Sequence, residues 1–289
     1  MRLKTRRLDE CWIVYILPAF LWIMFVAIFP VIYNLFLGFF EMGAGGKLNY
    51  IGFENYKNLF SSTVFHTVCL NTVLWTVGIM IGLLLISLSL AILLNKQFIG
   101  KTIYRIVFFL PWVIPGVVAG IIWEYMLNPS WGIVNRLLSD LGLIQNYFPW
   151  LGTTETSLIT VMFVYIWRVA PFSIIMLLAG LQSIPEQLYE SAQIDGANNF
   201  KQFLYITIPQ LMPVIKVVML LLTIWTFNSF DITYALTQGG PLYSSEILAM
   251  RIYLYGFKLN QFGLAAAASN FAMVITFIIA LRYLKNMES

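Results

Sequence analysis

The chain has 289 residues, 60% of them hydrophobic and only 10% charged, with a mean hydropathy of +0.81 and a formal net charge of +4 at pH 7. A soluble domain carries about 25% charged residues, so these values exclude one and indicate an integral membrane protein. The excess of Lys and Arg needs no nucleic acid to account for it, because it reads as a topology signal along the loops.

A helix needs roughly 20 apolar residues to cross the hydrocarbon core, and charge-free runs predict six spans at about 12–40, 66–95, 103–127, 157–181, 214–235 and 263–283. The first follows Arg2, Lys4, Arg6 and Arg7 like a secretory signal. Its length exceeds the roughly 7–15 residues of a signal's apolar region, so it is expected to stay as a span. In the third, Pro111 and Pro115 each remove an amide donor and obstruct the carbonyl four residues earlier, which predicts a kink serving either packing or gating. The fourth carries Arg168 at mid-span.

Between the fourth and fifth spans lies a polar, small-residue loop at 182–212. Ser183-Ile-Pro-Glu186 has the form of a capping box that opens a helix. That helix is predicted to run through Leu188, Ala192 and Ile194 to Gly196, whose freedom in the left-handed region ends helices. Asn198 or Asn199 then caps a second helix carrying Phe200, Phe203 and Leu204 toward Pro209. Small residues at Ser191, Ala192, Gly196 and Ala197 leave the turn open to close approach, and Glu190 and Asp195 add acceptors for basic partner groups. A helix lying on the membrane surface would favour Lys and Arg on its polar face, and 183–199 contains neither.

In the fifth span Leu222, Thr226 and Ser229 share one helical face by their i, i+4, i+7 spacing. Asp231 lies toward its outer end. Charges within a bilayer face a polar cavity or one another. Arg168 and Asp231 are therefore expected either to meet a solute or to form an ion pair, with each other or with a neighbouring subunit.

With the N-terminus in the cytoplasm, Arg2, Lys4, Arg6, Arg7, Lys96, Lys101, Arg105, Lys201, Lys216, Arg282 and Lys285 fall inside, against Lys47, Lys57, Arg136, Arg251 and Lys258 outside. Both termini and the 182–212 loop are then expected in the cytoplasm. Cys11 and Cys69 offer no disulfide framework. His66 has no ligand at metal spacing and reads as an interfacial polar residue, so neither a catalytic nor a metal site is expected. No phosphate-binding Gly-x-x-x-x-Gly-Lys-Ser/Thr loop occurs, which assigns any ATP to another polypeptide.

The string Glu190-Ser191-Ala192, Gly196 and Ile206-Thr207-Ile208-Pro209 resembles the signature loop of the permease subunits of ATP-binding-cassette importers, with Ser191 in place of Ala and Ile208 in place of Leu. The stretches at 50–60, 110–115, 131–135 and 236–241 are similar to landmarks of the family's carbohydrate branch, so the resemblance covers nearly the whole chain. It implies an all-α, six-span bundle at 12–285 between a cytoplasmic segment 1–11 and a tail 286–289. Glu190, Ser191, Ala192, Asp195, Gly196 and Ala197 would form the ATPase-coupling turn. Arg168, Phe172, Leu222, Thr226, Asn228, Ser229 and Asp231 would line the solute cavity.

The implied partners are a second homologous permease, an ATPase dimer that binds ATP and Mg, an extracytoplasmic solute-binding protein and membrane lipid. The implied function is import of a sugar or oligosaccharide across the cell membrane. Glycerol phosphate or another small anion is the alternative, which Arg168 would suit, and a secondary transporter is the rival outside the family.

Overall fold

The computed structural model describes residues 12–43 and 46–288; the predicted segment 1–11, with Cys11, and the last residue of the tail lie outside them. In chain order the elements are α1 (Trp12–Ile23), a π turn (Met24–Ile28), α2 (Phe29–Leu37), β1 (Phe40–Met42), β2 (Leu48–Tyr50), α3 (Glu54–Ser61) and α4 (Thr63–Asn95). There follow α5 (Lys101–Val113), α6 (Gly116–Met126), α7 (Ile133–Asp140), α8 (Ser157–Gln182), α9 (Glu186–Ile194), α10 (Asn199–Gln202), a π turn (Phe203–Thr207) and α11 (Ile208–Asn228). The chain closes with α12 (Asp231–Thr237), α13 (Leu248–Tyr253), a third π turn (Leu254–Lys258) and α14 (Phe262–Glu288). Among the described residues, five helical stretches, Tyr15–Leu37, Thr63–Asn95, Ser157–Gln182, Asn199–Asn228 and Phe262–Lys285, are long and apolar enough to cross a membrane. The pair α5 and α6 makes a sixth if taken as one broken span.

The chain divides into two compact units, one of residues 1–62 with 252–273 and the other of 63–251 with 274–289. In the first, the loop after α2 forms an antiparallel hairpin in which Phe40 faces Tyr50 and Met42 faces Leu48, two short strands in a chain expected to be wholly helical. Asn55 fastens it: its Nδ2 donates to the carbonyls of Gly38 and Phe40 at 3.0 and 2.9 Å. Asn34 Nδ2 donates to Asn270 Oδ1 at 2.9 Å, and Asn270 Nδ2 donates to the Tyr56 hydroxyl at 2.8 Å. In this unit the 50–60 stretch is thus a polar clamp on the end of the first span.

The second unit is built on a long seam between α4 and α8. Gly78 and Gly82, one turn apart, let the helices close up: a Cβ on Gly82 would stand 2.6 Å from Ile166 Cδ1, and one on Gly78 3.2 Å from Met162 Sδ. Without a hydrophobic driving force between helices in lipid, such close backbone packing and interhelical hydrogen bonds hold the bundle. Ser87 and Ser173 share one such bond at 2.8 Å, and both are buried. Trp75, fully buried, packs edge-on against Tyr165 at 5.1 Å and donates its indole N–H to the Thr226 carbonyl at 3.0 Å. That carbonyl lies in the last turn of α11, where helix partners run out.

Two predicted spans are corrected. The third does not kink but breaks: α5 and α6 meet at 102°. Pro111 stays within α5, whereas Ile114, immediately before Pro115, is driven to extended backbone (φ −72°, ψ 126°) because a following proline disfavours the helical region. The fifth span does not occupy 214–235. It is helical from Asn199, ends at Asn228 and gives way at Ser229 to extended backbone before the separate α12.

The connections within this unit are held by side chains. Asn135, fully buried, accepts from the Phe148 amide and the Trp150 indole at 3.2 and 2.9 Å and donates to the Phe148 carbonyl at 2.9 Å. The 236–241 stretch opens a turn sewn to α4: Asn71 Nδ2 donates to the carbonyls of Tyr243 and Glu246 at 2.8 and 3.1 Å, and the Leu248 amide to Thr72 Oγ1 at 2.8 Å. Glu246, buried in this turn, accepts from Arg251 Nη2 at 2.9 Å, with Arg251 Nε on its other oxygen. Burial pushes its carboxyl up, to about 7, against the pull of the Arg251 guanidinium.

Candidate functional site

The 182–212 loop folds as a protruding turn. Its expected capping box does not form, because Ser183 closes α8, its hydroxyl donating to the Gly180 carbonyl at 2.8 Å, and Pro185 occupies the N-cap of α9. The turn itself forms as its residues dictate. Gly196 takes φ +77°, the Ala197 amide donates to the Ala192 carbonyl at 2.8 Å and the Gly196 amide to the Gln193 carbonyl at 3.0 Å, a Schellman motif. Asn198 then caps α10, accepting from the Lys201 amide at 2.9 Å. Gln202 Nε2, donating to the Ala197 carbonyl at 3.1 Å, and the hydroxyls of Tyr189 and Thr207, 3.0 Å apart, brace the two arms.

Glu190, Ser191, Asp195 and Gly196 are exposed, with Ala192 and Ala197 half-buried. Nothing lies within 4 Å of where a Gly196 Cβ would stand. Ile194 projects with 88% of its surface open, giving the turn an apolar tip beside the carboxylates of Glu190 and Asp195. The second arm does not stop at Pro209. Prolines at 209 and 213 withdraw donors from carbonyls four residues earlier; the π turn at Phe203–Thr207 accommodates the first of these, and the helix runs on unbroken from Asn199 to Asn228.

Beyond the far end of that helix, α12 packs against α6 of the broken span. The break leaves carbonyls at the end of α5 and amides at the start of α6 without helix partners. Arg168 Nε donates to the freed Ile114 carbonyl at 2.9 Å. On the other side, Asp231, accepting from Ser229 Oγ at 2.8 Å, lies so close to Gly116, the first residue of α6, that any side chain there would overlap its carboxylate. A cation at the C-terminal end of one helix and an anion at the N-terminal end of the next complement both dipoles. Of the alternatives for these two charges, a mutual ion pair is not formed: each serves its own end of the break instead.

One turn along α8 from Arg168, Phe172 stands between two tryptophans, its ring centroid 6.1 Å from that of Trp112 and 4.8 Å from that of Trp225. The two indoles are 45% and 42% exposed, and Asn228, one turn beyond Trp225, is exposed as well. The face of α11 chosen from sequence points elsewhere. Leu222 and Thr226 are fully buried, Leu222 packing with Leu83 and Leu177 of the α4–α8 seam. Leu222 and Thr226 do share a face, turned to the protein interior, whereas Ser229 lies past the helix end on extended backbone, half-buried and donating to Asp231.

The sequence model for "Binding-protein-dependent transport system inner membrane component" matches residues 78–286, a span that includes both the turn and the aromatic face. The chain belongs to this family. Among relatives of the permease, the trehalose/maltose transport system permease protein MalF of Thermococcus litoralis is 34% identical over 82% of this chain and 79% of its own. The multiple sugar-binding transport system permease protein MsmF of Streptococcus mutans is 32% identical over 95% and 93%. In three dimensions the permease superposes on a chain of a bacterial ABC transporter involved in import of the acidic polysaccharide alginate, with TM-score 0.86, 26% identity and coverage of 98% and 97%. It is an inner membrane component of an ABC importer, which moves its solute rather than transforming it.

Three functional candidates of the permease escaped the sequence reading. Trp112 and Trp225 were hidden among aromatic residues that make up 16% of the chain. Ile194 passed as one of several apolar positions of α9; what sets it apart is its place in the last turn before a left-handed glycine.

Proposed function

We propose that the permease conducts a sugar or oligosaccharide into the cytoplasm, handed over by an extracytoplasmic binding protein and driven by an ATPase dimer seated on the turn at 190–197. The observation that carries this reading is the open aromatic face of Trp112, Phe172 and Trp225 beside Arg168. Aromatic faces cover the apolar face of a pyranose, and a guanidinium whose Nε is held by Ile114 keeps its terminal nitrogens for hydroxyls or a carboxylate. Relatives named for trehalose/maltose, multiple sugars and diacetylchitobiose support the same solute class. The solved alginate transporter has been captured with its pentasaccharide-bound periplasmic protein, which supports a binding protein as the donor.

A second homologous permease completes the conduit across the aromatic face, and both termini and the turn lie on the ATP side, as the Lys and Arg distribution favours. ATP and Mg are bound by the ATPase and none by this chain. Its closure pushes on Glu190, Ile194 and Asp195, and the single helix from Asn199 to Asn228 carries the push to the solute face. Gly196→Asp forces a side chain into the left-handed region and adds bulk and charge to the turn. The expected outcome is loss of ATPase co-purification and of ATP-dependent uptake of labelled oligosaccharide in proteoliposomes. Undiminished assembly and uptake would rule out the docking role, and uptake driven by an ion gradient without ATP would overturn the importer reading.

A further inference from the structure

A groove runs along the second unit between α4, α5 and α8, starting at the end of the bundle from which the 182–212 loop emerges. Its first part is a cavity of about 260 Å³ with Arg105 and Gln182 among its lining residues. It shares Phe108, Pro171 and Ile174 with a second, almost wholly apolar cavity of about 370 Å³ that continues toward mid-bundle. Along α8 the lining extends from Gln182 to Phe163, about 28 Å at the helical rise, the length of an extended acyl chain with its headgroup.

Arg105 makes this groove more than a packing defect. Its Nε and Nη2 are buried and have no hydrogen-bond partner. None can come from the walls as a carboxylate, because α4, α5 and α8 contain no Asp or Glu. Arg105 is the one charged residue of the lining, and Lys101 lies one turn before it on α5. Guanidinium nitrogens withdrawn from solvent without a partner are costly unless an anion meets them, and basic pockets between helices near the membrane surface take anionic headgroups.

We infer that the groove binds an anionic phospholipid, its phosphate on Arg105 and one acyl chain in the apolar limb. A phosphodiester supplies the two acceptor oxygens that a guanidinium fork matches, and the apolar limb has no use for a water-soluble anion. The site is separate from the aromatic face and its occupancy does not depend on which solute is moved.

The test uses the full-length protein, delipidated in detergent, titrated with phosphatidylglycerol or with phosphatidylcholine of the same acyl chains, and read by native mass spectrometry. The wild type should bind phosphatidylglycerol about tenfold more tightly, the usual worth of one charge-assisted contact. Arg105→Gln should abolish that preference and Arg105→Lys restore most of it. Ala179→Trp, which fills the first cavity without touching the charge, should reduce binding of both lipids and carries the test should Arg105→Gln fail to fold. Equal binding of the two lipids by the wild type, or undiminished phosphatidylglycerol preference in Arg105→Gln, overturns the proposal. So does a loss confined to recovery of a second permease subunit, which would place Arg105 at a subunit contact.

Discussion

Arg168 and Asp231 show how two membrane charges can be stabilised without touching each other. Each serves a different end of the broken third span, Arg168 the carbonyl of Ile114 and Asp231 the start of α6 at Gly116. Arg168→Ala removes the hydrogen bond to a half-buried carbonyl, so it should destabilise the purified protein by about 1 kcal/mol, read as a lowered thermal midpoint. An Arg168→Ala/Asp231→Ala protein should be no more stable than either single variant; recovery in the double would mean a direct ion pair.

Glu246 has the opposite character, a carboxyl raised by burial to about 7 from the ordinary 4.5. The folded state then holds a proton that the unfolded state has released, so this group's contribution is full below about 4.5 and is lost as pH rises through about 7. The thermal midpoint should fall between pH 5.5 and pH 8, and Glu246→Gln should shrink that fall. An unchanged pH dependence in the variant would assign it to other groups.

At the scale of elements, the helix from Asn199 to Asn228 is the part that would carry a push on the 190–197 turn to the proposed solute face. It begins at a capped turn, passes Pro209 by way of a π turn, carries Pro213 within α11 and ends one turn past Trp225. Spin labels at the exposed Asn199 and Asn228 should give one distance of about 44 Å that stays fixed as nucleotide is added to the assembled transporter. A nucleotide-dependent change in that distance would mean that the π turn flexes and the helix is not a lever.

The elements also mark where sequence reading reaches its limit. Gly196 and Asn198 were legible because their chemistry is local: a left-handed glycine and a side-chain cap need only their own neighbours. Ser183 misled because its hydroxyl found the Gly180 carbonyl of a helix that had not yet ended. The two prolines located the break in the third span, but its depth depends on Arg168 and Asp231 arriving from distant segments. Periodicity along α11 found a face and not its neighbour, so Leu222 and Thr226 were assigned to solute while they pack against the α4–α8 seam. The three-residue strands at 40–42 and 48–50 carry too short a pattern to read.

For the whole molecule, composition and charge-free runs were enough to give the helical membrane bundle, because the bilayer leaves so few structures that satisfy their own backbones. The two surfaces of the proposed function lie near opposite ends of one continuous helix: the turn before Asn199, and the face of Trp112, Phe172 and Trp225 near Asn228. Capture of the solute during turnover distinguishes the aromatic face from the interior face of α11. A photoreactive phenylalanine is placed at Trp225 or at Leu222 in the assembled transporter, which is illuminated while it imports a radiolabelled oligosaccharide from its binding protein. ATP-dependent labelling is expected from position 225 and none from the buried position 222. Labelling from 222 with none from 225 would contradict it, returning the solute path to the face of α11 that lies against α4 and α8.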